Sequence, residues 1–213
     1  MNPADTVIEE IGANLDERRG GFTSLRRIVL DHTGHPLEST AVSMAIPIIY
    51  AHWEGFVKEA CQLYLEHVEN TVAQGAELMP ALLGHLWTPA LRPLTGGINS
   101  DRKRTVAEHA VGSLSKPVSF GLEEKSIDTA SNLKYQVLES IASSLCLDIS
   151  PLGSSKHHLD SLVELRNNIA HGARPTTLRY ADLDSHITRT LGLMEGLERA
   201  LVQAVQARAF CVV

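Results

Sequence analysis

Between Ile46 and Tyr64 a set of large apolar residues and one alanine recurs at Ile46, Ile49, Tyr50, Trp53, Phe56, Val57, Ala60, Leu63 and Tyr64. Steps of three, one and three keep them on a single stripe of an α-helix, whereas a strand would scatter them over both faces. This segment predicts a long central helix over about 37 to 70, around which the rest of the chain must pack. Pro47 lacks a backbone N–H, so the helix is expected to kink or restart there, leaving a straight portion of roughly 35 Å from Ile48 to Asn70. Glu54 lies about 40° round from Tyr50, on the flank of the stripe, where a carboxylate needs a partner.

The same periodicity predicts further helices at about 5 to 18, 21 to 33, 76 to 86, 101 to 114, 131 to 146, 156 to 171 and 181 to 208. No run of alternating β-branched residues competes, so the fold class is all-α, a helical bundle. Two long loops interrupt it. Trp87 to Ser100 holds Pro89, Pro93, Gly96 and Gly97, and Ser115 to Thr129 holds Pro117 and Gly121. Both read as connectors or as segments that touch a substrate. The length, 213 residues, suits one domain over 1–213.

Charge and cysteine usage narrow the function. A net charge of -6 argues against a protein that coats nucleic acid nonspecifically. Cys61, Cys146 and Cys211 are odd in number and lack metal-site spacing, as expected of reduced thiols in a cytoplasmic protein. No basic flank leads into an apolar run at Met1 to Asp5, so no secretory signal is expected. The most apolar stretch, Ala41 to Ala51, is shorter than the ~20 residues of a membrane helix. His157 and His158 are adjacent and point to different helix faces, so no metal or other cofactor is expected. The low aromatic content, with Tyr50, Trp53 and Phe56 spaced as core, argues against a base-stacking platform.

The chemistry concentrates in Arg166-Asn167-Asn168-Ile169-Ala170-His171-Gly172, at the end of a helix whose stripe is Leu159, Leu162, Leu165 and Ile169. An imidazole moves protons near neutral pH, and a guanidinium grips phosphate through a planar fork. Together Arg166 and His171 suit cleavage of a phosphodiester, with Asn167 orienting the imidazole or touching phosphate. The bland alternatives are a His171 that complements the helix dipole and an Arg166 held in an ion pair with Glu54. Lys156, Arg174 and Arg179 make the surroundings locally basic, and Lys156 and Arg174 are candidate substrate contacts. In an unbroken helix Arg166 and His171 are separated by roughly 140°, so one subunit does not place both on one stripe. A frayed helix end, the reach of arginine or a second copy across a dimer interface could each bring them together.

This motif resembles the R-x4-H motif of the HEPN superfamily, small all-helical proteins whose active members are metal-independent ribonucleases, many of them toxins or antiphage effectors. His52-Trp53-Glu54-Gly55-Phe56-Val57 resembles the corresponding long helix of stand-alone bacterial members, and Ser131-Asn132-Leu133-Lys134-Tyr135 to Leu145-Cys146-Leu147-Asp148 resembles the helix before the motif helix. The resemblance runs over roughly residues 36 to 172 in order. It implies a HEPN-like bundle, an RNA substrate cut through a 2′,3′-cyclic phosphate, a homodimer in which two motif copies meet, and an antitoxin protein as a possible partner. Some relatives carry a tyrosine two residues after the histidine for nucleotide attachment, and here Ala173 stands there, so such silencing is not implied. The rival expectations are a catalytically silent HEPN module and a helical dimerisation or protein-interaction domain.

Overall fold

The structure, a computed structural model, describes residues 2–91, 100–122, 127–172 and 177–212. Seven α-helices occur among them: α1 (Pro3–Leu30), α2 (Glu38–Thr71), α3 (Pro80–Leu91), α4 (Ser100–Leu114), α5 (Tyr135–Ser144), α6 (Lys156–Ala170) and α7 (Tyr180–Ala207). Two 3₁₀ turns, Gly75–Glu77 and Ser150–Ser155, connect elements. No strand occurs among the described residues, and the expected all-α bundle is observed. No described helix is long and apolar enough to cross a membrane.

The central helix is α2. Its 34 residues span about 51 Å, and the predicted stripe is buried from Ile46 to Tyr64 except for Leu63, which is half-buried. Pro47 sits inside α2 without ending it, so the expected restart does not occur. Ala45 and Ile46 on one side and Ile49 and Tyr50 on the other are all buried, and this burial holds the helix together across the hydrogen bond that proline cannot make. α1 and α7 flank α2 and pack on each other, and α6 lies on α2 beside them. The buried side chains of α1, α2, α5, α6 and α7 form one contiguous cluster.

The break expected between residues 18 and 21 is absent, because α1 runs through Gly20-Gly21. Packing explains the glycine. A Cβ on Gly21 would fall 2.6 Å from Cε1 of His52, so Gly21 lets α1 approach α2 closely enough for the His52 ring to sit edge-on to Phe22 at 5.0 Å. Arg18 and Asn14 of α1 then both reach Glu59 of α2. The start of α2 is tied to α7 through Glu38, whose carboxylate accepts from the N–H of Gly34 at 3.1 Å and of Tyr180 at 2.9 Å. The bonds from Tyr180 and then Gly34 hold its carboxyl below the usual range.

The loops differ from expectation at two places. Trp87–Leu91 belongs to α3, so the first loop is shorter than read, and residues 92–99 lie outside the described part. The helix expected from 131 starts only at Tyr135. Ala130 and Ser131 adopt left-handed φ values of 51° and 56°, which a helix excludes, and residues 127–134 instead cross over α2 as a loop.

Candidate active site

The site is built where α6 crosses α2. Periodicity turns Leu159 and Leu162 fully into the core, with Leu165 and Ile169 half-buried, and this leaves Arg166 on the flank facing α2. The Arg166 guanidinium lies over the Tyr50 ring, 4.2 Å from its centroid. Nη1 donates to Oδ1 of Asn167 at 2.7 Å, and Nη2 donates to the carbonyl oxygen of Ser131 at 3.4 Å. A guanidinium has five N–H groups, so three have no hydrogen-bond partner among the described residues and could meet an anion. Cation–π contact and a half-buried setting hold the fork in one place.

Glu54 lies within electrostatic range of Arg166, but the direct ion pair read as the bland alternative is not formed. Its carboxylate is taken by Lys58, Nζ to Oε1 at 3.0 Å, and by the hydroxyl of Thr129. Burial opposes the ionisation of Glu54, yet the bonds from Thr129 and Lys58, with the fields of Lys58 and Arg166, outweigh it and keep the carboxyl below its usual range. Tyr50 is shared between both sides of the site. Its hydroxyl oxygen accepts from the N–H of Leu133 at 2.8 Å. Burial pushes the phenol up, the Leu133 N–H and Arg166 pull against that, and Glu54 adds to it.

Within one copy Asn167 contacts Arg166 and Asn132, not the imidazole. Its Oδ1 faces Arg166, and its Nδ2 donates to Oδ1 of Asn132 at 3.0 Å. His171 caps α6 with φ -87° and ψ 9°, and its N–H still bonds the Asn167 carbonyl at 2.9 Å. The turn ends at Gly172, whose φ of 78° is easily reached only without a Cβ. The helix therefore stays wound up to His171, and a frayed end does not bring the pair together. His171 is exposed, while Arg166 is turned towards Tyr50. Roughly 140° of helix rotation separates them.

Lys156, a candidate substrate contact, is not gathered here. Lys156 starts α6, roughly 22 Å along the axis from His171, because each helical residue advances ~1.5 Å. Its ammonium lies 5.8 Å from the Tyr135 ring centroid. Arg174 lies outside the described residues. A cleft of about 340 Å³ opens between Gly34–Ser39 and Thr177–Arg179, and neither Arg166, Asn167 nor His171 lines it. Among the described residues no three His, Cys, Asp or Glu side chains converge as a metal site would require. The site residues that sequence reasoning missed are Tyr50, Thr129 and Asn132. Tyr50 has the spacing of a core residue, and Asn132 falls in a stretch whose periodicity predicts a helix but which precedes α5 as a loop.

Residues 8–210 match the model of the MAE_28990-like HEPN family, nearly the whole chain. The chain belongs to the HEPN superfamily. No curated protein and no solved structure matches it. The match spans both halves of the site, α2 with Tyr50 and Glu54 and α6 with the R-x4-H motif, so the HEPN assignment covers the residues whose geometry is described above.

Proposed function

We propose that this HEPN protein is a metal-independent endoribonuclease acting as a homodimer, with a toxin or antiphage role. The observation that carries the reading is the pairing in the R-x4-H motif of a pinned guanidinium that keeps three N–H groups with an exposed imidazole on an intact helix end. The chemistry follows from these groups. The imidazole of His171 takes the proton of the ribose 2′-OH, whose oxygen attacks the adjacent phosphorus. The bond to the 5′-oxygen breaks, and an imidazolium returns a proton to that oxygen, leaving a 2′,3′-cyclic phosphate and a 5′-hydroxyl. Arg166 stabilises the negative charge that grows on the phosphate oxygens. Because one copy turns the two side chains apart, the working site combines Arg166 and His171 from two copies related by a twofold axis. Met44 and Ile48, four residues apart on α2 and 70% and 45% exposed, offer apolar surface for such an association.

The engagement of Arg166 with Tyr50, Asn167 and Ser131 supports a second reading, a silent HEPN module in which the arginine is structural. One experiment separates the two. Purified wild type, Arg166→Ala and His171→Ala are incubated with cellular RNA in excess EDTA, with mass in solution measured in parallel. Cleavage by wild type, reduced on the order of 10²- to 10⁴-fold in each variant, is the expected result. Folded variants that cleave like wild type refute the site, and intact RNA throughout favours the silent module. A strict monomer whose specific activity survives dilution rules out the composite site.

A further inference from the structure

Asn167 can hold Arg166 only if its amide is the right way round. The carbonyl end accepts from the guanidinium, and a flipped amide would set an NH₂ donor against the N–H groups of arginine. Within α6 the guanidinium, which can only donate, favours the first orientation. A second contact supports that orientation from outside the helix, in the loop that crosses α2, where Oδ1 of Asn132 accepts from Nδ2 of Asn167 at 3.0 Å. An acceptor there leaves the Asn167 carbonyl only one direction, towards Nη1 of Arg166 at 2.7 Å.

The backbone that carries Asn132 is itself fixed. The Leu133 N–H next to it is bound to the Tyr50 hydroxyl at 2.8 Å, Thr129 is bound to Glu54, and the Ala130 N–H is bound to Oδ1 of Asp128 at 2.8 Å. The Asn132 N–H donates to the Thr129 carbonyl at 3.1 Å, and its carbonyl accepts from the Lys134 N–H at 2.7 Å. Two successive left-handed residues, Ala130 and Ser131, turn the chain so that the Ser131 carbonyl and the Asn132 side chain both face α6. Such conformations are uncommon for residues other than glycine, and they persist where surrounding contacts over-determine them.

We propose that Asn132 is a positioning residue for the phosphate-binding arginine, acting through Asn167 to fix the plane of the Arg166 guanidinium against the Tyr50 ring. The inference rests on the ribonuclease reading for its catalytic consequence, while the positioning itself does not. Loss of the relay lets the fork rotate, and misplacement by about 1 Å costs up to ~10²-fold in rate. Asn132→Leu keeps the size and removes the acceptor, whereas Asn132→Asp keeps the acceptor.

The test uses the full-length protein with Asn132→Leu and Asn132→Asp. Turnover of a mixed-sequence single-stranded RNA oligonucleotide is measured alongside nitrogen-15 NMR of the Arg166 side chain. In Asn132→Leu, kcat is expected to fall on the order of 10- to 100-fold with KM nearly unchanged, and the hindered rotation of the guanidinium expected in wild type should be lost. Asn132→Asp should restore both. An Asn132→Leu protein with wild-type kcat and hindered rotation overturns the proposal, as does an Asn132→Asp protein as impaired as the leucine variant. If wild type and Arg166→Ala alike leave RNA intact, the ribonuclease reading fails and the guanidinium signal alone decides the role of Asn132.

Discussion

Tyr50→Phe removes one oxygen from the centre of the site and should report how the site is held. The ring stays beneath Arg166, 4.2 Å from the guanidinium in the parent, so the cation–π contact survives. What is lost is the acceptor for the N–H of Leu133, a residue with 0% exposure. A buried donor left without a partner costs ~1–3 kcal/mol. For a chain of this size each kcal/mol lowers Tm by roughly 2–4 °C, so a loss of about 4–8 °C is expected for the middle of that range. Tyr50→Leu adds the loss of the cation–π contact, another ~0.5–2 kcal/mol, and frees the guanidinium. The assays are urea unfolding monitored by circular dichroism and hydrogen exchange at the Leu133 amide. Tyr50→Phe should expose that amide to exchange and, by loosening the loop that carries Asn132, lower any RNA cleavage, and Tyr50→Leu, which also frees the guanidinium, should lower it further. A Tyr50→Phe protein within ~0.3 kcal/mol of wild type, with Leu133 still protected, would refute the argument that this hydrogen bond anchors the loop.

Two further expectations concern the bundle. Nothing lies within 4 Å of a Cβ placed on Gly20, so Gly20→Ala should stabilise α1 by up to ~1 kcal/mol, whereas Gly21→Ala meets His52 at 2.6 Å and should destabilise by ~1–3 kcal/mol before any propensity gain. Equal unfolding midpoints for the two variants would refute the close-approach account of Gly21. Burial, with His186, Arg189 and His157 adding to it, pushes His158 down to about 4. Its folded value therefore lies below the unfolded ~6.5, and its share of stability is complete above that pH and declines as pH falls towards 4. His52, His67, His85 and His186 are also lowered by burial and act in the same direction. Replacing His158 by Phe should thus reduce, without abolishing, the drop in urea midpoint between pH 7 and pH 5. An unchanged drop would show that His158 titrates alike in the folded and unfolded states, refuting the argument.

Periodicity reports one helix face at a time, and that explains what the sequence could and could not disclose. The α2 stripe was readable because burial selects apolar residues at 3.6-residue spacing, and the divergence of Arg166 from His171 followed from helix geometry alone. Gly20-Gly21 was misread because a glycine that admits a neighbouring side chain looks, along the chain, like one that breaks a helix. The 127–134 loop was misread because Ala130 and Ser131 carry no local mark of left-handed backbone. Their conformation is imposed by Tyr50, Glu54, Arg166 and Asn167, none of them within 30 residues of Asn132 in the chain. The motif therefore names the candidate reactive groups, but the direction in which Arg166 points is set with help from a loop and a ring on other elements. A substitution that preserves the R-x4-H motif, such as Asn132→Leu, can on this argument disable the site while leaving its sequence signature whole.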